Sequence, residues 1–187
     1  MVKASTKQSR PPITVRTRRA YFDCKFGQLH VRTAFPTTGG FDEQVTLFCL
    51  HPMDASSRTF SRFLPEVADV RSVYAPDLPG CGESDPSPSR GIADAAIAVS
   101  DLANDLRLRQ IDVLGIQFGA EVAIELAAAR PELVRRLVLA GVTAAERLAL
   151  IKQPHLIVDI AVRDDLFEAA PQVLAKQIGS FLLTHPV

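Results

Sequence analysis

Residues 111–141 read IDVLGIQFGAEVAIELAAARPELVRRLVLAG, and this stretch decides the fold. Ile111–Ile116 has the length and apolar character of a buried strand. The run breaks at Gly115-Ile116-Gln117-Phe118-Gly119 and continues as a nearly all-apolar helix over Phe118–Arg130. Arg136–Ala140 is a second strand. Strand, tight turn, buried helix and strand together make a parallel β-α-β unit, which needs a sheet covered on both faces. The turn has glycines two residues before and two residues after Gln117, where larger side chains would clash across it. Ala120 lets the helix start close to the sheet.

The same alternation extends in both directions. Tyr21–Phe26 and Gln28–Phe35 form a strand pair joined through Gly27, and Pro36–Gly40 is a loop. Val45–His51 (VTLFCLH) is a short apolar strand, and Ser57–Val67 a helix with Phe60, Phe63, Leu64 and Val67 on one face. Arg71–Asp77 is the next strand, closed by the turn-rich LPGCGESDPSPS, and Ile92–Leu108 is helical. After Gly141 the pattern thins. Ala144–Leu150 supplies one or two helical turns, His155–Ile160 one strand, and Pro171–Leu183 a helix. Right-handed crossovers between such strands give a three-layer α/β sandwich with a mostly parallel central sheet.

The composition excludes several classes. The chain has 187 residues, 47% of them hydrophobic, 22% charged, with a formal net charge of zero. That length suits one domain with a proper core. A neutral balance gives no electrostatic case for nucleic acid or an anionic membrane. No apolar run approaches the roughly 20 residues that span a bilayer. Cys24, Cys49 and Cys81 are few, unevenly spaced and odd in number, which fits reduced thiols in a cytoplasm, and no C-x-x-C metal spacing occurs. No metal and no cofactor is expected: Gly80 and Gly82 stand in a P-G-x-G turn, yet no nucleotide fingerprint follows. Residues 1–19 carry Lys3, Lys7, Arg10, Arg16, Arg18 and Arg19, no acid, and the pair Pro11-Pro12. They are read as a basic, solvated leader, a transit peptide being the alternative; residues 20–187 form a single domain.

Three stretches carry the chemistry, in this order: LFCLHPMDASSRTFSRFLPEV (47–67), VYAPDLPGCGESD (73–85) and the Gly-x-Gln-x-Gly turn. Together they resemble the α/β-hydrolase superfamily, in its branch of epoxide hydrolases, haloalkane dehalogenases and C–C-bond hydrolases. The resemblance is good over residues 20–143 and patchy afterwards. It implies that the turn is a nucleophile elbow whose central residue should be the attacking group. Here that residue is Gln117. A carboxamide donates and accepts hydrogen bonds, but it does not titrate and is a poor nucleophile.

The other family positions are also altered. The oxyanion hole falls on the backbone N–H groups of Met53 and Phe118. The family's usual His-Gly is His51-Pro52, so His51 reads as a turn residue rather than a base, and a proline replaces the flexible glycine. The tail admits two registers. In one, Asp164 or Asp165 follows the penultimate strand as the triad acid; in the other, Asp164 stands where the family has its catalytic His. Both leave a solvated aspartate pair as the plain alternative. His185 serves as a base only if the C-terminus folds back. The family's helical cap follows the strand equivalent to Arg136–Ala140, and the residues between Gly141 and Pro154 are too few for one.

The expected molecule is therefore α/β-hydrolase-like, cap-less and shortened at its C-terminal side. Three functional readings stay open. The chain is a catalytically defective relative whose remnant pocket, formed by His51, Asp54, Gly115 and Gly119 around Gln117, binds a small apolar ligand or a partner. Alternatively it is an active hydrolase of a small ester, epoxide or C–C substrate with a rewired set of Asp54, Asp164 and a water held by Gln117. Or it is a truncated hydrolase gene product. The single tail strand leaves a sheet edge with little charge to blunt it, which predicts a homodimer.

Overall fold

The structure is a computed structural model that describes residues 15–37, 44–141, 156–160 and 166–184. Seven strands form one sheet: β1 (Val15–Cys24), β2 (Gly27–Pro36), β3 (Leu47–Leu50), β4 (Val73–Pro76), β5 (Ile111–Ile116), β6 (Val134–Ala140) and β7 (Leu156–Ile160). Their order across the sheet is β1-β2-β4-β3-β5-β6-β7. From β4 onward every neighbour is parallel, while the β1–β2 hairpin joins antiparallel at one side. The sequence expected this mostly parallel sheet because β3 and β5 are buried along their whole length, as parallel strands covered on both faces must be.

One face of the sheet packs against α2 (Ile92–Asp105) and α3 (Phe118–Ala129), burying Val99, Leu102, Val122, Ile124 and Leu126 on Val113 and Leu137. The other face carries a 3₁₀ turn (Ser57–Phe60), α1 (Leu64–Val67), α4 (Leu166–Ala169) and α5 (Pro171–Thr184). There Phe60, Phe63 and Phe167 interlock, Phe167 meeting each of the other two edge-on at ring-centroid distances of 5.3 Å. This is the three-layer sandwich, with two separate apolar layers.

Several boundaries differ from the sequence reading. β1 begins at Val15, so residues 15–19 of the expected leader are strand. Its pattern of VRTRRA hides it, because at the sheet's edge most of these residues face solvent. The expected helix Ser57–Val67 is split into the 3₁₀ turn and α1. Pro65 lies in the first turn of α1 and has no N–H to donate to the Ser61 carbonyl four residues back, so a continuous helix loses a bond there. Ala144–Leu150 falls outside the described residues.

Asp112 is fully buried in β5 and is satisfied by two arginines. Arg135 grips it with two bonds, Nε to Oδ1 at 2.8 Å and Nη2 to Oδ2 at 2.5 Å, while Arg71 Nη1 donates to Oδ2 at 3.2 Å. Arg136, also buried, donates to the Leu182 carbonyl and so ties β6 to the end of α5. No helix among the described residues is long and apolar enough to cross a membrane.

Candidate functional site

Because β3, β4 and β5 are parallel neighbours, the segments that follow them leave the same edge of the sheet. That edge gathers the three motifs: residues 51–57 after β3, 77–85 after β4, and Gln117 after β5.

The elbow is built. Gln117 has φ 49° and ψ −112°, a positive φ uncommon for a residue with a side chain and costing about 1–3 kcal/mol. The surroundings hold it there. Its N–H donates to the Ala140 carbonyl at 2.8 Å, and its own carbonyl accepts from Ala120 and Glu121 at 2.9 and 3.1 Å. A Cβ on Gly115 would lie 2.5 Å from the Ala120 Cα, and one on Gly119 would lie 2.2 Å from the Leu50 carbonyl oxygen. Both glycines are therefore required by close approach. The turn presents Gln117 as an exposed side chain. Phe118 opens α3, where helix geometry offers its N–H no acceptor within the helix.

His51 is fully buried and uses both ring nitrogens. Nδ1 faces the Pro52 carbonyl at 2.6 Å, and Nε2 accepts the Leu78 N–H at 2.9 Å. Nδ1 therefore carries the proton. Burial pushes its pKa down, against the pull of the Pro52 carbonyl and Asp77. The ring is a strut between two loops. Met53 and Asp54 are exposed beside it, and the Met53 carbonyl accepts the Cys81 thiol at 3.2 Å. Asp164, Asp165 and His185 lie outside the described residues.

Asp77 belongs to the second motif, and nothing in its sequence neighbourhood marks it for a role. The structure makes it the organiser of this edge. Its Oδ1 accepts the Ser57 N–H at 2.6 Å, and its Oδ2 accepts the Glu83 N–H at 2.9 Å and faces His30 Nδ1 at 2.9 Å. Burial alone would raise its pKa; the hydrogen bonds from Ser57, Glu83 and His30 outweigh this and hold it below the ordinary value. A Cβ on Gly82 would sit 2.0 Å from Asp77 Oδ2, so the Gly-rich turn wraps the carboxylate. His30 and Asp77 are 47 residues apart, and no local pattern signals such a pairing.

Neither described histidine is thus placed as a base for residue 117: one is a strut and the other is buried against Asp77. Among the described residues no group of three or more His, Cys, Asp or Glu could hold a metal ion. A cavity of about 430 Å³ lies at the opposite end of the sheet, lined by Leu47 and Arg71 beside β3 and β4 and by Ile178 and Leu182 of α5.

Known proteins share this architecture. Over 83 residues the chain is 42% identical to 2-hydroxymuconate semialdehyde hydrolase of Pseudomonas sp. strain CF600, covering 42% of this chain and 28% of that protein. A longer match, 27% identical over 157 residues, is to an uncharacterized protein of Mycobacterium tuberculosis and covers 74% of this chain and 44% of that one. Among solved structures, a haloalkane dehalogenase variant from Bradyrhizobium elkanii is 28% identical with a TM-score of 0.55, covering 70% of this chain and 41% of that one. An N-acyl homoserine lactonase is 27% identical with a TM-score of 0.58, covering 66% and 44%. The chain thus spans less than half the length of these relatives. The model of the alpha/beta hydrolase family matches residues 47–184, and this chain belongs to that family.

Proposed function

We propose that the chain is a catalytically silent α/β-hydrolase domain that binds a small, mainly apolar ligand over the elbow. One observation carries the reading: the elbow is held in its strained conformation, yet the residue it presents is a carboxamide. Gln117 holds a ligand carbonyl or hydroxyl by hydrogen bonding and does not attack it. The backbone N–H of Phe118, at the positive end of α3, favours a partial negative charge at the same place. The competing reading is an active hydrolase with a rewired site, motivated by the relatives named as hydrolases.

A panel of nitrophenyl esters, a lactone and an epoxide separates the two. Loss of a triad nucleophile lowers turnover on the order of 10⁶-fold in serine enzymes. The binding reading expects no turnover above background. Turnover above about 1 s⁻¹, within the ordinary range for enzymes, rejects it.

A further inference from the structure

A second polar site stands on the β1–β2 hairpin, separated from β5 and its elbow by β4 and β3 in the strand order. Between this hairpin and the start of α1 lies a cavity of about 310 Å³ whose lining includes Arg18, Arg19, Arg32, Thr17 and Ser61 and no acid. Pockets for small ligands begin at about this size. Arg19 and Arg32 are directly opposite in the antiparallel register, which puts their Cβ atoms about 5 Å apart and two like charges on one face, an arrangement that destabilises a sheet. The whole chain has no excess of positive charge, so this concentration is local.

Among the described residues no carboxylate forms an ion pair with Arg18, Arg19 or Arg32. The Arg32 Nε is buried without an acceptor, which is costly for a charged group. Glu83 feels the field of Arg19, but its carboxylate accepts the Tyr21 hydroxyl at 3.0 Å and pairs with Arg58 at 3.6 Å. Arg18, next to Arg19 in the strand, projects to the opposite face of the hairpin, where its guanidinium lies 5.3 Å from the centroid of the Phe35 ring. Thr33 also lines the cavity, and its hydroxyl is spent on the Val73 carbonyl at 3.0 Å; Thr17 and Ser61 are the other hydroxyl-bearing residues of the lining.

We propose that this cavity binds the phosphoryl group of a small soluble phosphorylated molecule. The paired guanidiniums of Arg19 and Arg32 suit a dianion with several oxygens better than a single carboxylate, because each planar fork can engage two oxygens. An anion between Arg19 and Arg32 cancels their repulsion and supplies the acceptor that Arg32 Nε lacks. The site is independent of the chemistry at Gln117.

Titration calorimetry at fixed ionic strength, with inorganic phosphate and methyl phosphate as probes, tests the proposal. Saturable one-to-one binding is expected, with Arg32→Gln and Arg19→Gln each weakening it roughly tenfold or more. Without phosphate, Arg19→Gln is expected to unfold at the same or a higher temperature than the parent, since it removes a like-charge contact. Arg62→Gln, exposed and outside the cavity, should bind as the parent does. Absence of saturable binding by the folded parent overturns the proposal, as does Arg19→Gln binding within about twofold of it. Arg19 is exposed, so that variant decides the matter even if Arg32→Gln does not fold. Sedimentation with phosphatidic acid vesicles, without binding of either soluble phosphate, also overturns it and assigns the patch to a membrane surface.

Discussion

The Nε2 of His51 accepts the Leu78 backbone N–H at 2.9 Å, so the histidine at the end of β3 is bolted to the loop after β4. The second ring nitrogen is engaged by the Pro52 carbonyl at 2.6 Å. A protonated ring would aim an N–H at the Leu78 N–H, and burial disfavours its charge.

This arrangement sets a pH dependence. In the unfolded chain His51 takes up a proton below its ordinary value of 6.5, whereas the folded chain does so only at lower pH. The unfolded state binds more protons in that interval, so the His51 contribution is present above 6.5 and is lost as pH falls toward the folded pKa. Asp77 adds a second step: its stability is present above the ordinary 3.8 and is lost as pH falls through the lower folded value. Urea midpoints measured from about pH 7.5 to about pH 5 should fall in the parent, and the fall should shrink in His51→Gln. An equal fall in both proteins would assign it to another group.

The elbow glycines should be far less replaceable than a glycine elsewhere. Gly119→Ala drives a methyl into the Leu50 carbonyl at 2.2 Å, and is expected to cost about 1–3 kcal/mol or more. Gly179→Ala, inside α5 with nothing within 4 Å of the new methyl, should gain about 0.5–1 kcal/mol from helix propensity. Denaturant unfolding of the two variants checks the contrast. A stable Gly119→Ala protein would mean that the turn does not press on β3.

β7 pairs with β6 on one side, and among the described residues no strand lies on its other side. We propose that two copies associate along this edge, since Leu156–Ile160 carries one charged residue to discourage pairing. Light scattering at tens of micromolar should report a dimer. A clean monomer at that concentration would contradict it.

What the sequence showed and what it hid divide along physical lines. The glycines around Gln117, the apolar run of β5 and the apolar α3 are local patterns, so the elbow is legible in the sequence. The start of β1 is hidden in the sequence because an edge strand need not alternate cleanly. The pairings of His30 with Asp77 and of Asp112 with Arg71 join residues 47 and 41 positions apart, a distance no periodicity spans. His51 was recognisable as a turn residue from Pro52, but its bond to Leu78 was not.

We propose that the turn survives while the chemistry around it has gone. Gln117→Ser tests this most directly, because it returns an attacking hydroxyl to a turn whose geometry already admits it. Serine is a weak nucleophile unless an adjacent base removes its proton. Both described histidines are committed elsewhere, and an aspartate such as Asp164, with an ordinary pKa near 3.9, is a poor proton acceptor at neutral pH. The measurement is labelling of Gln117→Ser by a fluorophosphonate probe, alongside a double variant that adds Asp164→His. A folded, unlabelled single variant and, at most, slow labelling of the double are expected. Rapid labelling of the single variant would show that a base is already in place, and the silent-domain reading would give way to the rewired hydrolase.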